Sequence, residues 1–109
     1  MSLKESKCEA CTIDAPLVSD SEAKILLLEL DGWVIESVSG INQLIKTYKF
    51  SNYAESLDFS NKVADLAESE DHHPKIVLEY GSVEVSWWSH KIKGLHKNDF
   101  ICAAKTDLI

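Results

Sequence analysis

Apolar residues recur along this chain in two alternating rhythms. Residues 23 to 30 crowd apolar side chains behind Ser19, Asp20 and Ser21, each able to cap a helix, with Glu22 in the first turn and Asp31-Gly32 at the far end. This predicts a first helix. Trp33-Val34-Ile35 and residues 41 to 50 carry β-branched and aromatic residues on either side of Ser37-Val38-Ser39-Gly40, the pattern of a hairpin. Ser51 or Asn52 then offers an N-cap, Glu55 completes a capping box with Asn52, and Phe59, Val63, Leu66 and Ala67 form one apolar helical stripe. Pro74 disfavours helical geometry at His73, so this second helix stops at or just before His72-His73. Ile76, Leu78 and Tyr80 alternate with Val77 and Glu79; after Gly81-Ser82, Val83, Val85 and Trp87 alternate with Glu84, Ser86 and Trp88. That is a second hairpin. Asn98 or Asp99 is the expected cap of a third helix whose Phe100, Ala103, Ala104 and Leu108 share a face, with Lys105 near its end.

The predicted order is α-β-β-α-β-β-α, an α+β two-layer sandwich: a four-stranded antiparallel sheet with three helices on one face. Residues 1 to 18, with Pro16 and no sustained period, are expected to form an arm, and residues 19 to 109 a single domain. Some strand positions are apolar on both faces, as at Leu44 and Ile45 or Trp87 and Trp88, which a solvated sheet face would not favour. Self-association into a homodimer or homotetramer is the expected consequence.

Charge narrows the partners. A formal charge of -7, from 11 Lys plus Arg against 18 Asp plus Glu, opposes a phosphate backbone or an anionic membrane surface, so no direct nucleic-acid partner is expected. No apolar run approaches the roughly 20 residues needed to cross a bilayer, and the N-terminus lacks the apolar core of a signal peptide. A cytoplasmic location is the expectation. Three cysteines do not make a disulfide framework. Cys8-x-x-Cys11 has neither a second such pair nor a βαβ context, and it reads as part of a solvated arm or as half of a zinc site shared between subunits.

The end of the second helix is the chemical anomaly. Glu68, Glu70 and Asp71 crowd a C-terminal turn where the helix dipole disfavours negative charge by about 0.3 to 1 kcal/mol each. His72 and His73 follow at once, and both the carboxylates and the helix end favour imidazolium there. His90 is expected to end the fourth strand, and Asp99 lies at the start of the last helix. Element ends are where loops assemble sites on a rigid scaffold. A single histidine at a helix end is also a common capping or surface group. Adjacent histidines point in different directions, and no HxxxH, HxH or HExxH pair seats two metal ligands together, so no metal is expected. The alternative is a small metal-binding protein using the histidines and the CxxC, which metal content after purification would separate. On spacing alone Cys102 is a small core residue, and Trp87 and Trp88 are packing residues.

These residues carry a resemblance. Glu68, three residues, His72-His73-Pro74, five residues, Tyr80, nine residues, His90, eight residues and Asp99 together resemble the signature of pterin-4a-carbinolamine dehydratases. Gly32-Trp33, Phe50, Val63-Ala64, Ala67-Glu68, Gly94-Leu95, Asn98-Asp99-Phe100 and Ala103-Ala104-Lys105 are similar to that family as well. The arm CEACTIDAP with WWSHKIKGLHKNDF resembles its bacterial branch, the one associated with phenylalanine hydroxylase. The resemblance implies dehydration of 4a-hydroxytetrahydropterin to quinonoid dihydropterin, which recycles the cofactor of aromatic amino-acid hydroxylation. Pterin is then the substrate, and no cofactor or metal is implied. By position, His72 and His90 would be the acid/base pair, His73 would mainly hold substrate, and Glu68 and Asp99 would orient the histidines. Pro74, Ile76, Val77, Leu78 and Ser89 would border the pterin. Ile76 stands where many members have an aromatic residue, and Ser89 replaces a common Thr. The family is also similar to a dimerisation cofactor of a homeodomain transcription factor, so an interaction module with an idle site is the rival expectation.

Overall fold

The structure, a computed structural model, describes Leu3 and residues 17 to 109. Cys8, Cys11, Pro16 and most of the expected arm lie outside the described residues. The elements follow the predicted order: α1 (Asp20–Leu27), β1 (Val34–Val38), β2 (Ile41–Lys49), α2 (Tyr53–Glu70), β3 (Lys75–Glu79), β4 (Ser82–Trp87) and α3 (Lys97–Thr106).

The caps are legible in the geometry. Ser19 Oγ accepts the Glu22 amide at 3.1 Å and starts α1. Regular helix ends at Leu27 rather than continuing to Leu30, because Leu28, Glu29 and Leu30 each donate to the carbonyl three positions back, which winds the chain into tighter turns. Asn52 Oδ1 accepts the Glu55 amide at 2.9 Å to start α2, while Glu55 Oε1 accepts the Ser51 amide at 3.0 Å. The capping box thus closes one residue earlier than the Asn52 spacing implies. The cap of α3 also differs from expectation: it is His96, not Asn98 or Asp99. Leu108 falls beyond that helix and is 63% exposed, so it does not share the buried face of Phe100, Ala103 and Ala104.

Ser39 and Gly40 both take left-handed backbone angles, φ 53° and 81°, and make the two-residue turn between β1 and β2. Both hairpins are antiparallel and join through their inner strands, in the order β1-β2-β4-β3. Register places Leu44 opposite Trp87, and Tyr48 opposite Val83, which is in turn opposite Leu78, so these side chains share one face. That face packs against Phe59, Val63 and Ala67 of α2 and Phe100 and Ala103 of α3. Burying an aromatic such as Phe100 contributes about 1.5 to 3 kcal/mol. The other face carries Gln43, Ile45, Thr47, Val77, Glu84 and Ser86, with Val34 and Val38 half-exposed.

A four-residue clip ties the end of α3 to the first hairpin. Asp107 accepts from Trp33 Nε1 at 3.0 Å, from Lys46 Nζ at 2.9 Å and from the Tyr48 hydroxyl. Among the described residues no helix is long and apolar enough to cross a membrane.

Candidate active site

The turn after α2 decides where the paired histidines point. The Asp71 amide bonds Glu68 O at 3.3 Å and the His72 amide bonds Ala67 O at 3.1 Å, the two reversed bonds of a Schellman turn. Asp71 occupies the left-handed position, φ 50°, where glycine is usual. The turn sends His72 inward, to 5% exposure, and leaves His73 outside. The three carboxylates at this helix end are held apart: Glu68 pairs with His73, Glu70 with Lys105 at 3.5 Å, and Asp71 makes the turn.

His72 meets Asp99 beneath the surface. Its Nε2 lies 2.6 Å from Asp99 Oδ1, while the other carboxylate oxygen accepts Ser89 Oγ at 2.8 Å and the His96 amide at 2.9 Å. Asp99 is wholly buried, and these donors satisfy a charge that would otherwise be costly there. The arrangement depends on the start of α3, where His96 Nδ1 accepts the Asn98 amide at 3.0 Å and Asp99 reaches back to the His96 amide. This is a capping box with imidazole in the usual hydroxyl place. Trp87 stacks on the His72 ring, centroids 5.6 Å apart and planes 8° from parallel, and its Nε1 donates to Thr106 Oγ1 at 3.1 Å.

His90 is not the end of β4, which stops at Trp87; it lies in the loop beyond. A bridge between Ser89 and Gly94 closes that loop, with the Ser89 amide bonding Gly94 O at 2.8 Å. The loop folds back so that His90 Nε2 meets His73 O at 3.1 Å, which brings the third imidazole to the main chain that carries the other two. His73 Nε2 in turn lies 2.6 Å from Glu68 Oε1, with both side chains exposed.

One rule governs the three rings. Each Nε2 faces an oxygen that accepts, a carboxylate for His72 and His73 and a carbonyl for His90, so each neutral ring donates from Nε2 and keeps its lone pair on Nδ1. Three imidazoles at the ends of two elements, each held by one nitrogen, can take up and deliver protons with the other.

The expected border residues fall in different places. Ser89 is wholly buried and gives its hydroxyl to Asp99, so it supports the site from within. Ile76 and Leu78 turn toward the core, whereas Val77 lies on the opposite sheet face, opposite Glu84. β3, which follows the half-buried Pro74, is an edge strand of the sheet. A separate cleft of about 430 Å³ between α1, Ile35 and Lys93-Gly94-Leu95 is lined by none of the three histidines. Among the described residues no three His, Cys, Asp or Glu side chains converge as metal ligands.

Sequence reasoning missed two kinds of neighbour. His96 was unassigned, although His96-x-x-Asp99 has capping-box spacing. Trp87 and Trp88 read as packing, yet each lies against a histidine of the site, with the Trp88 and His90 centroids 4.3 Å apart.

Comparison with known proteins agrees with this architecture. The family model described as pterin 4 alpha carbinolamine dehydratase matches residues 16–109. Relatives carrying the pterin-4-alpha-carbinolamine dehydratase name include one from Vibrio vulnificus, 60% identical over 98% of this chain and 97% of that protein. Another, from Saccharophagus degradans, is 57% identical over 96% of this chain and 93% of that protein. A transcriptional coactivator/pterin dehydratase from Brucella melitensis superposes with a TM-score of 0.76 at 29% identity, covering 85% of this chain and 97% of that one. A pterin dehydratase-like protein described as a RuBisCO assembly factor in the alpha-carboxysome, at 22% identity and TM-score 0.60 over 72% of this chain and 88% of that one, shares the fold. With that match spanning the helices, the sheet and all three histidines, the chain belongs to the pterin-4a-carbinolamine dehydratase family, a family of hydro-lyases.

Proposed function

We propose that this protein dehydrates 4a-hydroxytetrahydropterin to quinonoid dihydropterin and water, with its histidines as acid and base. Family membership supports the reaction, and the observation that carries the histidine reading is that His72, His73 and His90, tied together at the end of α2, each have Nε2 bonded to an oxygen, which in the neutral ring leaves the lone pair on Nδ1. The 4a-hydroxyl leaves poorly as hydroxide. An imidazolium that protonates it lets it depart as water while the ring nitrogens supply the electron pair, and a neutral imidazole takes the ring N–H proton. The proton count balances, and the pterin loses one water. His72 and His90 are the pair, His73 holds substrate at the exposed edge, and Asp99 and Glu68 fix their rings. The product feeds back to reduction and then to aromatic amino-acid hydroxylation, the role in which a phenylalanine hydroxylase is a functional neighbour.

The deciding experiment measures turnover of freshly generated 4a-hydroxytetrahydropterin against the spontaneous reaction. His72→Ala and His90→Ala are each expected to lose about 100-fold or more, the usual weight of a general acid or base. Wild-type turnover in both variants overturns the reading. Half-exposed Val34 and Val38 on the second sheet face support self-association of the functional unit, which sedimentation of the purified chain tests.

A further inference from the structure

The placements of the three histidines differ in one respect. His72 has Asp99 and His73 has Glu68, both at 2.6 Å, but among the described residues no carboxylate pairs with His90. Among the described residues its hydrogen bond runs from Nε2 to a main-chain carbonyl, His73 O. A neutral carbonyl holds Nε2 less firmly than a carboxylate holds each of the other two rings, and that one contact does not fix the tilt of the ring. Trp88 supplies the missing constraint. Its indole lies against the His90 imidazole with centroids 4.3 Å apart and planes inclined by 32°. The electron-rich indole face also presents to an imidazolium what a carboxylate presents at the other two rings.

The chain geometry explains why Trp88 can do this. Trp87 is buried with Val83 and Val85, and Trp88 follows just past the end of β4, half-buried against the edge of the core, two positions before His90 and just ahead of the bridge that closes the loop. We propose that Trp88 is the positioning residue of His90: the carbonyl holds its Nε2, the indole holds its plane, and together they aim Nδ1 at the substrate. This rests on the acid/base reading of His90 and adds the group that makes it work.

The test uses the full chain. In the wild-type protein, NMR should show cross-relaxation between Trp88 indole protons and the His90 ring, and an upfield ring-current shift of the His90 Cε1 proton. Trp88→Leu keeps apolar bulk without an aromatic face, and Trp88→Phe keeps the face. Misdirecting a catalytic group costs on the order of 10-fold or more, so Trp88→Leu is expected to lower kcat by about 10-fold with KM little changed and to abolish the ring-current shift. Trp88→Phe is expected to restore most of the turnover and of the shift. No indole contact in the wild-type spectrum, wild-type kcat in Trp88→Leu, or equal losses in both variants overturns the proposal. His90→Ala, measured alongside, separates the two levels: wild-type turnover there removes the reading of His90 itself. A collapsed turnover there with an intact Trp88→Leu removes the role of Trp88 alone.

Discussion

The His72 imidazole and the Asp99 carboxylate meet at 2.6 Å in the interior, joined across 27 positions of sequence. The second oxygen of Asp99 receives Ser89 and His96, so one carboxylate fastens the end of α2, the start of α3 and the loop that carries His90. Asp99→Asn should therefore disturb more than one contact. The amide has a single acceptor oxygen and an NH₂ that only donates: with the oxygen kept toward Ser89 and the His96 amide, the NH₂ faces His72 Nε2 and is satisfied only if that ring moves its proton to Nδ1, which removes the Nδ1 lone pair. Turnover is expected to fall at least about 10-fold through the misplaced proton, with a stability loss of about 1 kcal/mol as bonds to a carboxylate become bonds to a neutral amide. Unfolding curves and steady-state rates on the same preparation check both. Wild-type kinetics in this variant would remove Asp99 from the mechanism.

His73 and Glu68 make the exposed counterpart of that pair. Exposed ion pairs are worth about 0 to 1 kcal/mol, so His73→Ala should scarcely change stability. Its expected effect is a raised KM, because in the proposed mechanism this exposed imidazole holds substrate. An unchanged KM with a collapsed kcat would exchange the roles assigned to His73 and His72.

Asp71 sits in the left-handed region at the end of α2, φ 50°, at the position of a Schellman turn that glycine fills without strain. A residue with a Cβ pays about 1 kcal/mol there, and a carboxylate at a helix C-terminus adds to the cost. Asp71→Gly is expected to stabilise the fold by about 1 kcal/mol, partly offset by the freer unfolded chain. A lower denaturation midpoint would show that Asp71 makes a contact that outweighs its strain.

The fold was readable in the sequence wherever a period ran long. The stripe of Phe59, Val63 and Ala67, and the alternation through Val83, Val85 and Trp87, put those side chains on the buried faces they occupy. Ends were harder. The α3 cap went to His96 because an imidazole acceptor can do what Ser or Thr does, and propensity does not single out that choice. The signature placed His72, His73, His90, Glu68 and Asp99 in one set, and the pairings of His72 with Asp99 and of His73 with Glu68 follow from the turn at Asp71. Local pattern could not show that the two tryptophans, adjacent at one strand end, would each meet a histidine, because those contacts depend on how α2 and the loop fold back.

The clip at the C-terminus gives a dependence on pH far from the site. Burial, then the hydrogen bond and charge of Asp107, push the Tyr48 phenol well above the usual value of about 10. A phenol whose pKa is raised on folding keeps its stabilising contribution in full below the unfolded value. Above about pH 10 the unfolded chain releases that proton while the folded one retains it, so stability falls as pH rises. Lys46 shares Asp107 at 2.9 Å, and the informative comparison is therefore with a variant that keeps it. Tyr48→Phe does. Urea midpoints at about pH 8.5 and about pH 10.5 should drop more for the wild type than for Tyr48→Phe, because only the wild type carries this phenol. Equal drops would mean that Asp107 holds Lys46 and Trp33 without drawing on the Tyr48 proton.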